Sequence, residues 1–296
     1  MELSMQEFQE LSKFIYKLCG LDIKEEKHYL VKQRLSHLAL SFGSGSFQGL
    51  IDKIRTGSDT RLRDQIIEAI TTNETFFFRD VHPFDTFRDL ILPRLGEIIR
   101  QRKASPHQRK GAKVNIWSAA SSTGQEPYTL AMLIHEYVTA NGHRGITLQD
   151  FGILATDIST GVLSKAIAGK YTDMEISRGL SPERRDRHFR KDGNMWAVSE
   201  ALESMVDFRR VNLTEPFTML GGFDVIFCRN ILIYFDDDTK RRIFLQFHQA
   251  LPDTGYLMLG ACENMNMLSD KFESSRHKDT ILYLPKKTPV VAFAQK

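Results

Sequence analysis

Apolar positions in residues 1 to about 70 recur at helical spacing, as in Phe8, Leu11, Ile15 and Leu18 and again in Leu30, Leu35, Leu38 and Leu40. No strand alternation interrupts them, so the segment reads as a small bundle of three or four helices. Gly20, the run Gly43-Ser44-Gly45-Ser46 and Gly57-Ser58-Asp59 fall where helices should end, with Ser46 or Ser58 placed to cap the next one. From Pro83 the pattern Phe84, Phe87, Leu90, Ile91 continues helically, and Pro93 either kinks that helix or opens another ending near Lys103. Residues 101–113 are polar and carry Arg102, Lys103, Arg109, Lys110 and Lys113 without an acid, which predicts an exposed basic loop.

Beyond this loop the pattern changes. VNIWSA, FGILATDI, FDVIFCRN and GYLMLGA are short apolar runs, and between them lie amphipathic stretches over about 126–140, 159–168 and 237–250. Such alternation predicts an α/β fold with helices on both sheet faces and a ligand site at the carboxyl ends of the strands. Residues 170–211 break the rhythm with short segments such as MWAVS and MVDFRRV among charges, which suits a small antiparallel insertion.

Composition narrows the function only by exclusion. The 296 residues suffice for about two domains. Forty Lys+Arg against 37 Asp+Glu give a net charge of +3, too small a field to argue for nucleic acid. Cys19, Cys228 and Cys262 are far apart and form no CxxC, so neither a metal site nor a disulfide framework is expected. The N-terminus lacks a signal-peptide pattern and no apolar run is long enough to span a bilayer, so the expected location is cytoplasmic.

Candidate chemistry gathers at the ends of the expected strands. After Val114–Trp117 comes Ser118-Ala-Ala-Ser-Ser-Thr-Gly124, and Glu126-Pro127 opens a helix. A dinucleotide pyrophosphate would prefer G-x-G-x-x-G, and a carboxylate at the helix start repels phosphate, which argues against a nicotinamide oxidoreductase. Glu126 suits a cation such as the amino group or sulfonium of S-adenosylmethionine, or it is simply a first-turn acid favoured by the helix dipole. Asp157 ends the second strand, where an acid can accept both hydroxyls of a ribose, or it caps the next helix, which Ser159 could cap equally well. Thr71–Asp80 (TTNETFFFRD) sets three consecutive aromatics between polar groups, as a site element or as a wedge between domains. Asn230 and Tyr234 follow the strand FDVIFC, as site residues or as turn and packing residues.

TTNETFFFRD, IWSAASSTGQEPYTLAM, ATDIS, VNLTEP, FDVIFCRNILIYFD and GACEN, in this order and spacing, resemble the CheR-type chemoreceptor glutamate methyltransferases over nearly the whole chain. The resemblance implies an all-α N-terminal domain (1–70) that docks receptors, a linker with connector helices (71–112) and a Rossmann-like S-adenosylmethionine-dependent methyltransferase domain (113–296) with a β-subdomain insertion at 170–211. By motif position it implies that Asn73, Thr75 and Arg79 reach the cofactor from the linker and that Glu126 takes the methionine amino group. Asp157 would take the ribose, and Asn212-Leu213 and Asn230-Ile231 would flank the adenosyl portion. Arg79 and Tyr234 would lie closest to the transferring methyl and the incoming glutamate, the product being S-adenosylhomocysteine. No metal is implied.

Relatives dock receptor helices with a basic helix, matched here by Glu26–Ser41 with Lys27, Lys32 and Arg34, whereas His37, Ala39 and Ser41 stand where many relatives have arginine. Some relatives bind a receptor pentapeptide through a G-x-G loop in the β-subdomain. The matching stretch, Phe189–Trp196, has one glycine, so a pentapeptide-independent enzyme is expected. Ala120-Ser121 replaces a common Gly-Cys with small residues that keep the pocket open. A cofactor-sensing scaffold, or a methyltransferase with another acceptor, are the alternatives.

Overall fold

A computed structural model of the chain describes residues 1–57, 59–105, 112–265 and 270–286. Four helices form the N-terminal domain: α1 (Met5–Cys19), α2 (His28–Phe42), α3 (Phe47–Arg55) and α4 (Thr60–Ile70). Each starts where a local side chain can accept its free N–H groups, except α2. Ser4 forms a capping box with Glu7, Ser46 accepts from Gly49, and Asp59 accepts from Leu62. Ser58, the other cap expected from sequence, lies outside the described residues.

After α4 an extended strap, residues 71–81, leads into continuous helix: α5 (His82–Thr86), a π-turn over Phe87–Ile91, and α6 (Leu92–Ala104). The π-turn stands just before Pro93. Proline lacks an N–H and its ring crowds the carbonyl four residues back, and the wider turn relieves that conflict, with the Leu92 N–H bonding to the Phe87 carbonyl. Pro93 thus occupies the first turn of α6, the second of the two expectations, directly after the π-turn. The helix also takes in residues 101–104, which the sequence assigned to the basic loop; residues 106–111 of that loop lie outside the described residues.

The main sheet has seven strands: β1 (Val114–Ala119), β2 (Phe151–Asp157), β6 (Val206–Arg210), β7 (Val225–Cys228), β8 (Tyr256–Leu259), β9 (Phe272–His277) and β10 (Thr280–Pro285). Their order is β6-β2-β1-β7-β8-β10-β9, with β6 through β8 parallel and the final hairpin antiparallel. Strand order reverses between β1 and β7, which opens a crevice at their carboxyl ends. The helices α7 (Gln125–Asn141), α8 (Thr160–Ala168) and α12 (Asp237–Ala250) follow β1, β2 and β7. Along β1, Ile116 and Trp117 point into different cores: Ile116 joins α7 and α6, and Trp117 joins α12. The second of these cores runs on without a break through the N-terminal helices.

A separate sheet of β3 (Lys170–Thr172), β5 (Met195–Val198) and β4 (Phe189–Asp192) is antiparallel, with the short helices α9 (Asp173–Ser177) and α10 (Pro182–His188) between β3 and β4. This is the expected insertion, but it is shorter than 170–211. Val206–Arg210 instead pairs in parallel with β2 as an edge of the main sheet, where one side of the strand meets solvent and so tolerates Asp207, Arg209 and Arg210. Arg184 forks onto Glu136 at 2.8 and 2.9 Å and stacks 4.3 Å from the Phe78 ring, fastening the insertion to α7.

The strap locks the parts together. Phe77 is fully buried edge-on against Tyr171 and Phe189 of the insertion, and Phe78 packs on Phe84. Gly179 passes so close that an added Cβ would lie 1.9 Å from the Phe77 carbonyl oxygen, and its φ of +90° suits glycine alone. The aromatic triplet is therefore a wedge at Phe77 and Phe78, while Phe76 turns toward the crevice. Replacing Phe77 by Ala should lower unfolding free energy by about 3–5 kcal/mol, read from the shift in a urea denaturation curve.

Candidate functional site

The loops after β1, β2 and β7, the strap, and residues 19–30 of the helical domain enclose a cleft of about 1360 Å3, counted out to its open mouth. All ten residues singled out from the sequence line it: Asn73, Thr75, Arg79, Glu126, Asp157, Asn212, Leu213, Asn230, Ile231 and Tyr234. The backbone around it is strained. Phe78, Asp80 and Val81 of the strap, Ala120 and Ser122 after β1, and Asn230 after β7 all have φ between +48° and +67°. Each such residue costs about 1–3 kcal/mol, and such positions cluster where a structure is shaped for a ligand.

At the base of the cleft lies a buried guanidinium that sequence reasoning did not select. Arg229, whose side chain is 2% exposed, bonds to Glu126 at 2.8 Å, to Asp80 at 2.8 Å and to the Arg79 carbonyl at 2.8 Å. Glu126 also accepts from the Ser118 hydroxyl at 2.9 Å. Two carboxylates around one guanidinium leave one net negative charge in a poorly solvated place, where it is felt strongly. A cationic ligand group is thus favoured beside Glu126.

Asp157 is buried and accepts the N–H groups of Ser122 at 2.9 Å and Ser159 at 3.0 Å. Ser159 itself caps α8 by accepting from Val162, so the aspartate is not needed as that helix's cap. Burial raises the Asp157 carboxyl above its ordinary range, against the pull of the Ser159 and Ser122 bonds. The two serine bonds leave lone pairs of Asp157 for a diol. Close by, the buried Ser121 hydroxyl and the Arg229 Nε–H line the cleft without a partner. A ligand bearing a cation, a diol and acceptor atoms matches this donor and acceptor set, and S-adenosylmethionine is such a ligand. Burial pushes the Cys19 thiol in the cleft wall up to about 11, which keeps it protonated and a poor nucleophile.

The remaining residues differ in how free they are. Arg79 donates to the Glu74 carbonyl at 2.7 Å and stands 5.8 Å from the Phe76 ring. Asn73 offers its carbonyl to Ser122 at 2.9 Å, which ties the strap to the loop after β1. The Asn212 side chain is engaged with Thr214, Glu215 and the Leu18 carbonyl, so its backbone and the Leu213 side chain are what it leaves to a ligand. Tyr234 is fixed by its carbonyl, which accepts from the Asp22 N–H of the helical domain at 3.0 Å.

The expected receptor-docking cations part company. Arg34 donates to the carbonyls of Ile70 and Thr71 and to the Thr72 hydroxyl, holding the start of the strap. Lys32 pairs with Glu2 at 2.7 Å, and Lys27 is exposed at the cleft mouth. Glu263, also missed from sequence, accepts four backbone N–H groups around the turn after β7. Among the described residues no cluster of three His, Cys, Asp or Glu side chains is placed to hold a metal ion, and no helix is long and apolar enough to cross a membrane. Replacing Arg229 by Met should strand Glu126 and Asp80 without their cation and lower stability by about 3–5 kcal/mol, measured by chemical denaturation.

Comparison with known proteins assigns both domains. Residues 6–71 match the CheR methyltransferase all-alpha domain, and residues 73–281 match the CheR methyltransferase S-adenosylmethionine-binding domain. The chain is 40% identical to chemotaxis protein methyltransferase 1 of Pseudomonas aeruginosa, covering 97% of this chain and 100% of that one. It is 41% identical to chemotaxis protein methyltransferase 1 of Vibrio cholerae, covering 95% and 97%. Against the chemotaxis protein methyltransferase of Escherichia coli it is 32% identical, covering 91% and 88%. With both domains matched and relatives aligned nearly end to end, the chain belongs to the CheR methyltransferase family and carries that family's S-adenosylmethionine-binding domain.

Proposed function

We propose that this methyltransferase esterifies glutamate side chains in the cytoplasmic part of chemoreceptors, leaving glutamyl methyl esters and S-adenosylhomocysteine. The observation that carries the reading is the make-up of the cleft: the cations Arg79 and Lys27 face it together with Tyr234, a set suited to holding a carboxylate. An acceptor needing deprotonation would call for a general base, whereas a glutamate is already ionised at neutral pH and needs only to be held.

S-adenosylmethionine supplies an electrophilic methyl on a positively charged sulfur. Glu126 holds the amino group through the surplus negative charge at Arg229, and Asp157 accepts from the ribose hydroxyls. Asn73 and Thr75 close the pocket from the strap, while Asn212-Leu213 and Asn230-Ile231 flank the adenosyl portion. Arg79 holds the incoming carboxylate by charge-assisted hydrogen bonds and Tyr234 orients it for in-line attack. Arg79 donates one N–H to the Glu74 carbonyl, which fixes the guanidinium in place while its remaining donors stay available to the carboxylate.

Docking of the receptor helices relies on Lys27 at the mouth more than on Arg34, which is engaged inside the protein. Pentapeptide independence is supported by the connection between β4 and β5, a two-residue turn of Gly193-Asn194 with no inserted loop. In the cell the enzyme is expected in the cytoplasm, recruited to receptor arrays.

Radiolabelled methyl from S-adenosylmethionine should pass to receptor cytoplasmic fragments and be released as methanol by mild base, equally well when the receptor's C-terminal residues are removed. Label that resists base would sink the ester assignment. Arg79→Ala should lose at least ~100-fold in kcat, and Asp157→Asn should weaken cofactor binding by ~10-fold or more in calorimetry. Cofactor binding without transfer to any fragment would favour the scaffold reading.

A further inference from the structure

The turn after β7 presents three consecutive N–H groups to one point. Asn230 has φ of +59° and Ile231 has φ of −122° and ψ of −36°, and with these angles the successive N–H groups converge and make the backbone concave toward an anion. Glu263, in the turn that follows β8, fills this concavity. One of its oxygens accepts from Ile231 at 2.9 Å and Leu232 at 2.7 Å; the other accepts from Asn230 at 2.8 Å and Gly260 at 2.7 Å. An added Cβ on Gly260 would lie 2.8 Å from both the Asn230 nitrogen and the Glu263 Oε2, so only glycine admits this approach. The turn so held carries Asn230 and Ile231 against the cleft, and the single helical turn Leu232–Tyr234 that follows carries Tyr234.

We propose that Glu263 is a positioning residue of the transfer reaction: its carboxylate sets the backbone that shapes the adenosyl wall and aims Tyr234, without touching either reactant. This rests on the methyltransferase reading above. The requirement is for an anion with acceptors on both oxygens. Glutamine, nearly identical in size, would turn an NH2 group against two N–H donors and is therefore not a mild substitution here.

The test compares wild type, Glu263→Gln, Glu263→Gly and Gly260→Ala for S-adenosylmethionine affinity by calorimetry, for kcat and KM, and for melting temperature. Glu263→Gln is expected to weaken cofactor binding by ~10-fold or more at temperatures well below its melting point. Added formate, which can enter the space left in Glu263→Gly, should recover part of that variant's affinity, with no effect on wild type. Gly260→Ala should reproduce the affinity loss with Glu263 still present. If Glu263→Gln melts lower yet binds and turns over like wild type, the carboxylate is a structural staple only and the proposal fails. It fails also if Glu263→Gln does not fold and formate restores nothing to Glu263→Gly. Wild type that does not bind S-adenosylmethionine would instead sink the underlying reading.

Discussion

A guanidinium kept almost out of water organises this molecule. Burying Arg229 is costly, by several kcal/mol for an ion of this kind, and the cost is met only because two carboxylates and a carbonyl surround it. The cluster joins three places in the chain: Asp80 and the Arg79 carbonyl from the strap, Glu126 from the start of α7, and the arginine itself just after β7. The strap must bend sharply to deliver them, which accounts for left-handed backbone at Phe78, Asp80 and Val81. The ion cluster and the Phe77 wedge hold opposite sides of the same strap.

Much of this architecture was legible in the sequence because apolar periodicity is a local property. The N-terminal helices, the strands β1, β2, β7 and β8 and the helices after the first three of these follow from spacing alone, and the switch-point rule then places the cleft. Edge strands carry that signal weakly: the sequence assigns the β6 segment to the insertion and does not single out β9. In β6 the charges Asp207, Arg209 and Arg210, and in β9 the sequence Phe-Glu-Ser-Ser-Arg-His, reflect exposure of one side or edge, so they carry little of the apolar pattern that marks an interior strand.

Charged residues were harder to place than apolar ones. Arg229, next to an apolar run, is not singled out by the sequence, because its partners lie about 100 and 150 residues earlier in the chain. Arg34 misleads in the other direction: on a basic helix it looks like a docking cation, yet it closes the carbonyl end of α4. In both cases the role is decided by partners distant in sequence, which periodicity does not encode. The residues lining the cleft were legible as a set because they fall in the motifs that carry the resemblance, while Glu263, though it stands in one of them (GACEN), is not singled out because it acts through backbone groups.

The cleft is also a seam. Its walls are contributed by the helical domain, the strap and the sheet, so whatever fills it adds contacts to a junction already joined by a shared apolar core and by bonds such as Asp22 to Tyr234 and Asn73 to Ser122. A ligand that binds the folded chain and not the unfolded one stabilises the fold, and does so with the logarithm of its concentration once the site is nearly full. The methyl donor is then a folding partner as well as a reagent.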